Sequence, residues 1–560
     1  MTERIPGNPL IVQGDHSVLL EVDNPNYVPC RDELARFAEL VKSPEHIHTY
    51  RITPLSIWNA CAAGVDADSM VGTLKRYSKY PIPGHVASEI RDFASRYGRL
   101  KIESREGRLV LACADPALAR EIAADRHVAP FLRETCGTTD YVVSPGDRGR
   151  IKQALIRIGF PAEDLAGYAE GERLEFGLRS HTIGGEVFTL RSYQSNAAEV
   201  FHAGGSARGG SGVVVLPCGA GKTIVGMSCM ATIQASTLVL VTNVTAVRQW
   251  IAELLDKTTL GEDQVGEYTG AVKEIRPVTI STYQILTYRR SRDNDFEHMA
   301  LFDNRNWGLI IYDEVHLLPA PVFQVTASLQ ARRRLGLTAT LVREDGRADD
   351  VFALIGPKKV DVPWKELERS GWIAKAGCTE IRVPMPESKQ FEYAVADPRS
   401  KFRIASENPD KLPIVRALVA GYADEQVLVI GMYVAQVKSV AKCLGVPVVC
   451  GSTPQEERDR LFEEFRSGAL RVLAVSKVAN FSVDLPDASV AIQISGTFGS
   501  RQEEAQRLGR ILRPKPGANQ AHFFTVVSHD TREQEFALKR QLFLCEQGYE
   551  YSIEYADEAT

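Results

Sequence analysis

No run of apolar residues in this 560-residue chain approaches the ~20 needed to span a bilayer. Its opening, MTERIPGNPL, lacks the pattern of a signal peptide. Cysteine is sparse and dispersed: ten residues lie between Cys30 and Cys545, none in a C-x-x-C pair and none with a histidine at zinc-site spacing. Neither a disulfide framework nor a zinc site is indicated, and the thiols read as reduced and mostly buried. Positive charge is not in excess. At a net charge of −5, any nucleic-acid contact must come from local basic surface rather than a global field. What remains is ample core-forming material, with 44% hydrophobic and 24% charged residues, and a length suited to about three to five domains. The expectation is a cytoplasmic protein.

The most informative stretch is Ser211–Met227, SGVVVLPCGAGKTIVGM. Val213 to Leu216 form a β-branched apolar run that reads as a buried parallel strand. The run breaks at Pro217-Cys218-Gly219-Ala220-Gly221, and Lys222-Thr223 open an apolar helical segment. A strand, a glycine loop and a helix start make a phosphate-binding loop. Its backbone N–H groups face phosphate oxygens, Lys222 reaches the outer ones and the Thr223 hydroxyl sits on Mg²⁺. The match to the general pattern is partial, since Leu216 stands where that pattern has glycine. Downstream, Ile310-Ile311-Tyr312-Asp313-Glu314-Val315-His316 is an apolar strand that ends in two acids. Asp313 is expected to hold Mg²⁺ through water, and Glu314 to polarise the attacking water. Together the two motifs point to a nucleoside triphosphatase. A third, Gln506-Arg507-Leu508-Gly509-Arg510-Ile511-Leu512-Arg513, sets Arg510 and Arg513 on one helical face, where planar guanidinium groups can clamp a transferring phosphoryl group.

Strand-like runs recur with helical intervals at Thr237–Thr242, Val278–Thr282, Leu309–Asp313 and Arg334–Leu337. A second series covers Val427–Met432, Val446–Cys450, Val472–Val475, Val490–Ile494 and His522–Val527. The pattern predicts an α/β protein with two parallel-sheet lobes in tandem, the nucleotide lying between them. A charged, helix-leaning interval, Pro384 to Pro413, reads as an insertion. Ahead of the motor the sequence predicts small α+β modules: strands at 17–22 and 46–52 around a helix over 31–41, helices at 55–63, 68–77 and 85–97, and a hairpin of 100–103 with 108–113. Strand 141–143 and a helix over 147–158 follow. The expected division is 1–97, 98–180, 181–365 and 366–560.

Asp313-Glu314-Val315-His316, Thr338-Ala339-Thr340 and QRLGRILR, together with LPCGAGKT, resemble a superfamily-two helicase, with Gln194 where that superfamily reads adenine. Gly336–Asp345 (GLTATLVRED), Val475–Leu485 (VSKVANFSVDL) and Gln541–Glu550 (QLFLCEQGYE) are similar to the XPB helicases, in a prokaryotic form. The resemblance implies RecA-like lobes, an N-terminal domain over Gly14–Gly64, a damage-recognition domain near 98–178 and a thumb-like DNA grip around Phe391–Lys411. It also implies ATP and Mg²⁺ as cofactors and ATP-driven 3′-to-5′ DNA unwinding or translocation in nucleotide excision repair.

Arg343-Glu344-Asp345 matches the family's RED motif for duplex opening. His316, Thr338, Thr340, Lys477 and Asp484 take the family's coupling and nucleotide-contact positions. In the fifth motif, Ala479-Asn480-Phe481 replaces Gly-Asp-Thr while Lys477 and Asp484 remain, so coupling of DNA to ATP is expected to survive in weakened form. DNA-contact candidates are Thr242, Asn243, Val244, Arg248, Thr269, Gly270, Thr282, Tyr283 and Gln284, with Met432, Tyr433, Gly451, Ser452 and Lys477 in the second lobe. Trp250 reads as core, and Tyr193 as stacking on adenine or packing. The expected partners are DNA and other repair factors, such as a nuclease. A duplex translocase that does not unwind, and a nucleotide-switched scaffold that recruits a nuclease, remain open alternatives.

Overall fold

A computed structural model of the chain describes residues 5–42, 46–206, 208–217, 219–288, 297–302, 304–329, 332–339, 348–362, 367–368, 370–476, 488–496, 520–546 and 549–556. The chain divides into two compact units, 1–215 with 221–361 and 362–560 with 216–220.

The first unit begins with β1 (Leu10–Val12), β2 (Ser17–Glu21), α1 (Tyr27–Leu34), β3 (Glu39–Lys42) and β4 (Ile47–Arg51), in the antiparallel order β1-β2-β4-β3. Helices α2 (Pro54–Ala62), α3 (Ala67–Tyr77) and α4 (Gly84–Arg96) follow. The helix expected over 31–41 stops at Leu34. Beyond Phe37 burial alternates, with Glu39 and Val41 out and Leu40 in, and Leu40 pairs with Tyr50 of β4. Pairing along a buried face overrides the local leaning of so short a run.

A second sheet, ordered β7-β8-β6-β5-β9, holds β5 (Leu100–Arg105), β6 (Arg108–Cys113), β7 (Leu132–Cys136), β8 (Asp140–Val143) and β9 (Ala162–Asp164). Helices α5 (Pro116–Ala124) and α6 (Arg148–Arg157) accompany it. The β5–β6 hairpin closes on Glu106 and Gly107, whose φ values of 52° and 75° suit a tight turn matched to strand twist.

The motor part has α7 (Ser192–His202), β10 (Ser211–Val215), α8 (Lys222–Ile233), β11 (Thr237–Val241), α9 (Val244–Lys257), β12 (Val265–Tyr268), β13 (Val278–Thr282) and α10 (Tyr283–Leu286). It continues with β14 (Leu309–Asp313), α11 (Ala320–Ser328), β15 (Arg333–Thr338), α12 (Ala348–Leu354) and β16 (Lys358–Asp361). All seven strands are parallel, in the order β12-β13-β11-β14-β15-β10-β16. Val213, Val214 and Leu238 to Val241 are wholly buried, as a sheet covered on both faces requires. β15 separates β10 from β14. Thr338 pairs level with Val215, and Leu337 with Asp313, so the carboxyl ends of all three strands finish together.

Both leading modules dock on this sheet's helices and edge. Helix α6 packs on α11 and α12, so closely that a Cβ on Gly149 would lie 2.4 Å from the Ala327 carbonyl oxygen. Gln153 Nε2 donates to Asp350 Oδ1 at 2.7 Å, and Asn59 Oδ1 accepts from the Lys358 amide at 3.0 Å.

The second unit repeats the parallel plan. Its elements are β17 (Lys375–Val383), α13 (Glu387–Val395), α14 (Pro398–Ser406), α15 (Lys411–Gly421), β18 (Val427–Ile430), α16 (Val434–Leu444) and β19 (Val448–Val449). Then come α17 (Gln455–Arg466), β20 (Val472–Val475), β21 (Val490–Gln493), β22 (Gln520–Ser528), α18 (Arg532–Glu546) and β23 (Glu550–Tyr555). The strand order is β19-β20-β18-β21-β22-β17-β23. Helices α13 and α14 fill the interval in which an insertion is expected. Strand β17 is hidden in the sequence because Glu380 interrupts it. Glu380 is fully buried, but it accepts from Tyr551 Oη at 2.6 Å and pairs with Arg382 at 2.9 Å. Polar satisfaction lets a carboxylate sit inside a sheet.

Candidate nucleotide site

Strand β10 ends at Val215 and the chain turns through Leu216 and Pro217, where the Pro217 carbonyl accepts from the Ala220 amide at 3.1 Å. Gly219 and Gly221 both have φ of 79°, a left-handed backbone that glycine adopts without a Cβ clash. Gly221 caps α8, and Lys222 is its first residue. The N–H groups of that first turn point out along the helix axis and, with the helix dipole, make an anion-binding end. Gln194 closes on the same spot: a Cβ on Gly221 would lie 2.6 Å from its Nε2, while its Oε1 accepts from the Arg191 amide at 3.0 Å at the start of α7. Tyr193 is also buried, and its hydroxyl accepts from Arg191 Nη1 at 3.0 Å.

At the carboxyl end of β14, Lys222 Nζ lies 2.8 Å from Glu314 Oε1. Glu314 has φ of 51°, uncommon for a non-glycine residue and worth about 1–2 kcal/mol of strain. Asp313 Oδ1 accepts from the Glu314 amide at 3.0 Å, and its Oδ2 accepts from Trp250 Nε1 at 2.9 Å. The Asp313 carbonyl accepts from Tyr283 Oη at 2.9 Å. Burial and the adjacent Glu314 carboxylate push the Asp313 carboxyl up to about 6. Burial works on Glu314 in the same sense, but the Lys222 ammonium and His316 outweigh it and hold that carboxyl below its ordinary value. His316 Nδ1 lies 2.6 Å from Thr338 Oγ1 and 3.6 Å from Glu314 Oε2, so the ends of β14 and β15 share one polar cluster.

Hydroxyl and carboxylate oxygens at Thr223 and Asp313 are the hard donors that Mg²⁺ prefers. Among the described residues no group of three or more His, Cys, Asp or Glu could hold a metal ion.

Several DNA-contact candidates have structural duties. Thr282 is buried and caps α10, its Oγ1 accepting from the Ile285 amide at 3.3 Å. Thr269 is buried and donates to Glu267 Oε1 at 2.7 Å. Thr242 Oγ1 accepts from Asn243 Nδ2 at 3.0 Å, and Asn243 caps α9. Arg248 is exposed on α9, as are Val244 at its start and Gly270 beyond β12. Gln284 is exposed in the first turn of α10. In the second unit the Met432 amide donates to Ser495 Oγ at 2.8 Å, Tyr433 precedes α16, and Gly451 and Ser452 are exposed beyond β19. Cys218, Thr340, Arg343, Glu344, Asp345, Lys477, Ala479, Asn480, Phe481, Asp484, Gln506, Arg510 and Arg513 lie outside the described residues.

Two contacts of the site go beyond the sequence reading: Trp250, buried as expected of a core residue, also donates to Asp313, and Tyr283, a DNA-contact candidate, donates to the Asp313 carbonyl. The available signal was chemical, since a buried indole or phenol needs a hydrogen-bond partner and the nearest strand end carries a carboxylate.

A phosphate loop and an Asp-Glu pair on one parallel sheet, followed along the chain by a second parallel sheet of equal size, mark the class: a helicase-type nucleotide-driven motor. Sequence relatives narrow it. The ERCC3/RAD25/XPB C-terminal helicase family matches residues 367–558, the type III restriction enzyme res subunit family matches 187–343, and a helicase conserved C-terminal domain family matches 10–136. The DNA 3′-5′ helicase XPB of Kineococcus radiotolerans is 53% identical over 551 residues, covering 98% of this chain and 97% of that protein. Its namesake in Mycobacterium tuberculosis is 54% identical over 98% of both. In fold, the chain is similar to the DNA-bound type ISP restriction-modification enzyme LlaBIII, with a TM-score of 0.50 at 13% identity over 66% of this chain and 31% of that one. The chain belongs to the XPB helicase family.

Proposed function

We propose that the protein is an ATP- and Mg²⁺-dependent DNA helicase that tracks 3′ to 5′, working in the cytoplasm at the nucleoid in nucleotide excision repair. The observation that carries this reading is the Lys222–Glu314 pair at 2.8 Å, beside Asp313, in a chain of this family. An arriving triphosphate gives Lys222 phosphate oxygens in exchange for Glu314, which leaves that carboxylate to accept a hydrogen bond from the attacking water. Mg²⁺ held by Thr223 and Asp313 would neutralise charge on the phosphate oxygens.

Gln194 reads the base, and the loop Pro217, Cys218, Gly219, Ala220 and Gly221 cradles the phosphates. Gln506, Arg510, Arg513 and Asp484 complete the nucleotide contacts, the arginines stabilising transferring charge. His316 and Thr338, with Thr340 and Lys477, pass the state of Glu314 towards the DNA contacts, and Arg343-Glu344-Asp345 parts the strands. The four-part division at 97, 180 and 365, a thumb-like grip by α13 and α14, and repair factors as partners belong to the same proposal.

Strand displacement on 3′-tailed and 5′-tailed duplexes tests it. Displacement from the 3′-tailed substrate alone, lost in Glu314→Gln, is the expected result. Failure on both, with release of a third strand from blunt duplex, would establish the translocase instead. Repair that survives Glu314→Gln would establish the scaffold.

A further inference from the structure

Trp250 is 1% exposed, at the seventh position of α9, and its indole N–H donates to a carboxylate. Two other buried tryptophans set the contrast. Trp58 Nε1 donates to the Phe93 carbonyl at 3.0 Å and Trp307 Nε1 to the Leu301 carbonyl at 2.9 Å, the partners an ordinary core indole takes. We propose that Trp250 is a positioning residue for the motor's reaction, holding the Asp313 carboxylate in the orientation that binds the divalent cation. The inference rests on the reading of Asp313 as the cation's carboxylate.

The donor's chemistry suits the task. An indole N–H is neutral and can only donate, so it fixes Oδ2 without cancelling the charge a cation needs. A lysine or arginine there would compete with the metal, and a hydroxyl could rotate away. The amide of Glu314 fixes Oδ1 in the same way. A carboxylate has about four acceptor positions, so one N–H on each oxygen orients it and leaves the remaining lone pairs for a metal-bound water or the ion.

Packing locks the donor as well. A Cβ on Gly226 would lie 2.5 Å from Trp250 Cη2, so the phosphate-loop helix α8 omits a side chain where the ring enters. The ring is therefore held between the helix that begins at Lys222 and the strand that ends at Asp313. Partners that orient a metal's carboxylate from behind commonly carry a 10- to 100-fold share of metal affinity.

The test uses the full-length chain with ADP and Mn²⁺ as the probe, free Mn²⁺ being read by electron paramagnetic resonance. Trp250→Phe should weaken Mn²⁺ binding by roughly 10-fold. The Mg²⁺ concentration for half-maximal ATPase should rise in parallel, while KM for ATP at saturating Mg²⁺ stays within about twofold, since losing the hydrogen bond that orients the carboxylate acts on the metal. Replacement of Trp250 by benzothienylalanine, which keeps the bicyclic shape and removes only the N–H, decides the matter if Trp250→Phe does not fold. Mn²⁺ binding by the benzothienylalanine protein equal to that of the wild type, with Asp313→Asn weakened, would overturn the role of Trp250 alone. Undiminished Mn²⁺ binding by Asp313→Asn would overturn the reading of Asp313, and this inference with it.

Discussion

Lys222 and Glu314 sit against each other, yet removing either has a different signature. Lys222→Ala takes away the phosphate's charge partner, so ATP binding and turnover should both be lost in a nucleotide-binding titration and a steady-state ATPase assay. Glu314→Gln keeps the shape and the phosphate site but removes the negative charge and basicity of the carboxylate proposed to polarise the attacking water. It should bind ATP and lose turnover by about 10²- to 10⁴-fold, the range of general-base catalysis. The residues of LPCGAGKT and DEVH are legible in the sequence because each needs fixed neighbours along the chain: glycines at the left-handed turns of residues 219 and 221, and acids directly after an apolar strand. Gln194 of α7 stands out through the family resemblance, but Trp250 belongs to the same small volume and comes from α9. No local pattern marks a residue whose function depends on where another helix ends.

Elements were legible wherever burial on both faces left a continuous apolar run. Strands Val278–Thr282, Leu309–Asp313 and Val472–Val475 have the limits that their apolar runs predict. Edge strand β12, edge strand β16 and the polar-studded β17 and β23 do not stand out, because partner strands and polar neighbours supply what their own side chains lack.

Buried charge sets two expectations at this scale. On β4, His48 is 4% exposed, and burial together with the Arg31 charge lowers it to about 4. Between that value and the unfolded one of ~6.5, the unfolded chain binds a proton the folded sheet refuses, so stability falls as pH drops through that window. At pH 5 the loss is about 2 kcal/mol, and His48→Gln should abolish it. Hydrogen exchange of peptides covering β2 and β4 at pH 7 and pH 5 measures the difference. In α6, Arg148 and Lys152 both pair with Asp164, at 2.7 and 2.9 Å, all three side chains being less than a tenth exposed. Asp164→Ala strands two buried cations and should cost about 3–5 kcal/mol, seen as early thermal unfolding of the 98–180 segment in exchange measurements.

Across the whole chain, the leading modules and the motor sheet share one unit, joined where α6 meets α11 and α12. Gly149→Leu places a side chain where the Ala327 carbonyl leaves no room. It should cost about 1–3 kcal/mol of overpacking and loosen that joint. Limited proteolysis should then cut between α6 and α7 faster than in the wild type, while ATP binding persists. With a net charge of −5, DNA binding must rest on local basic surface rather than on a global field. DNA-stimulated ATPase should therefore fall steeply as salt rises, because each phosphate neutralised releases counterions.

The sequence alone determined the class of chemistry and the two-sheet plan, since a phosphate loop, an acid pair after a strand and alternating apolar runs are local consequences of chain order. Tertiary structure alone decided which contacts stand behind those motifs. Gln194 against Gly221, Trp250 on Asp313, His316 on Thr338 and α6 against α11 each join segments far apart in order. Such contacts follow from strand order and helix packing, which no single stretch of sequence contains.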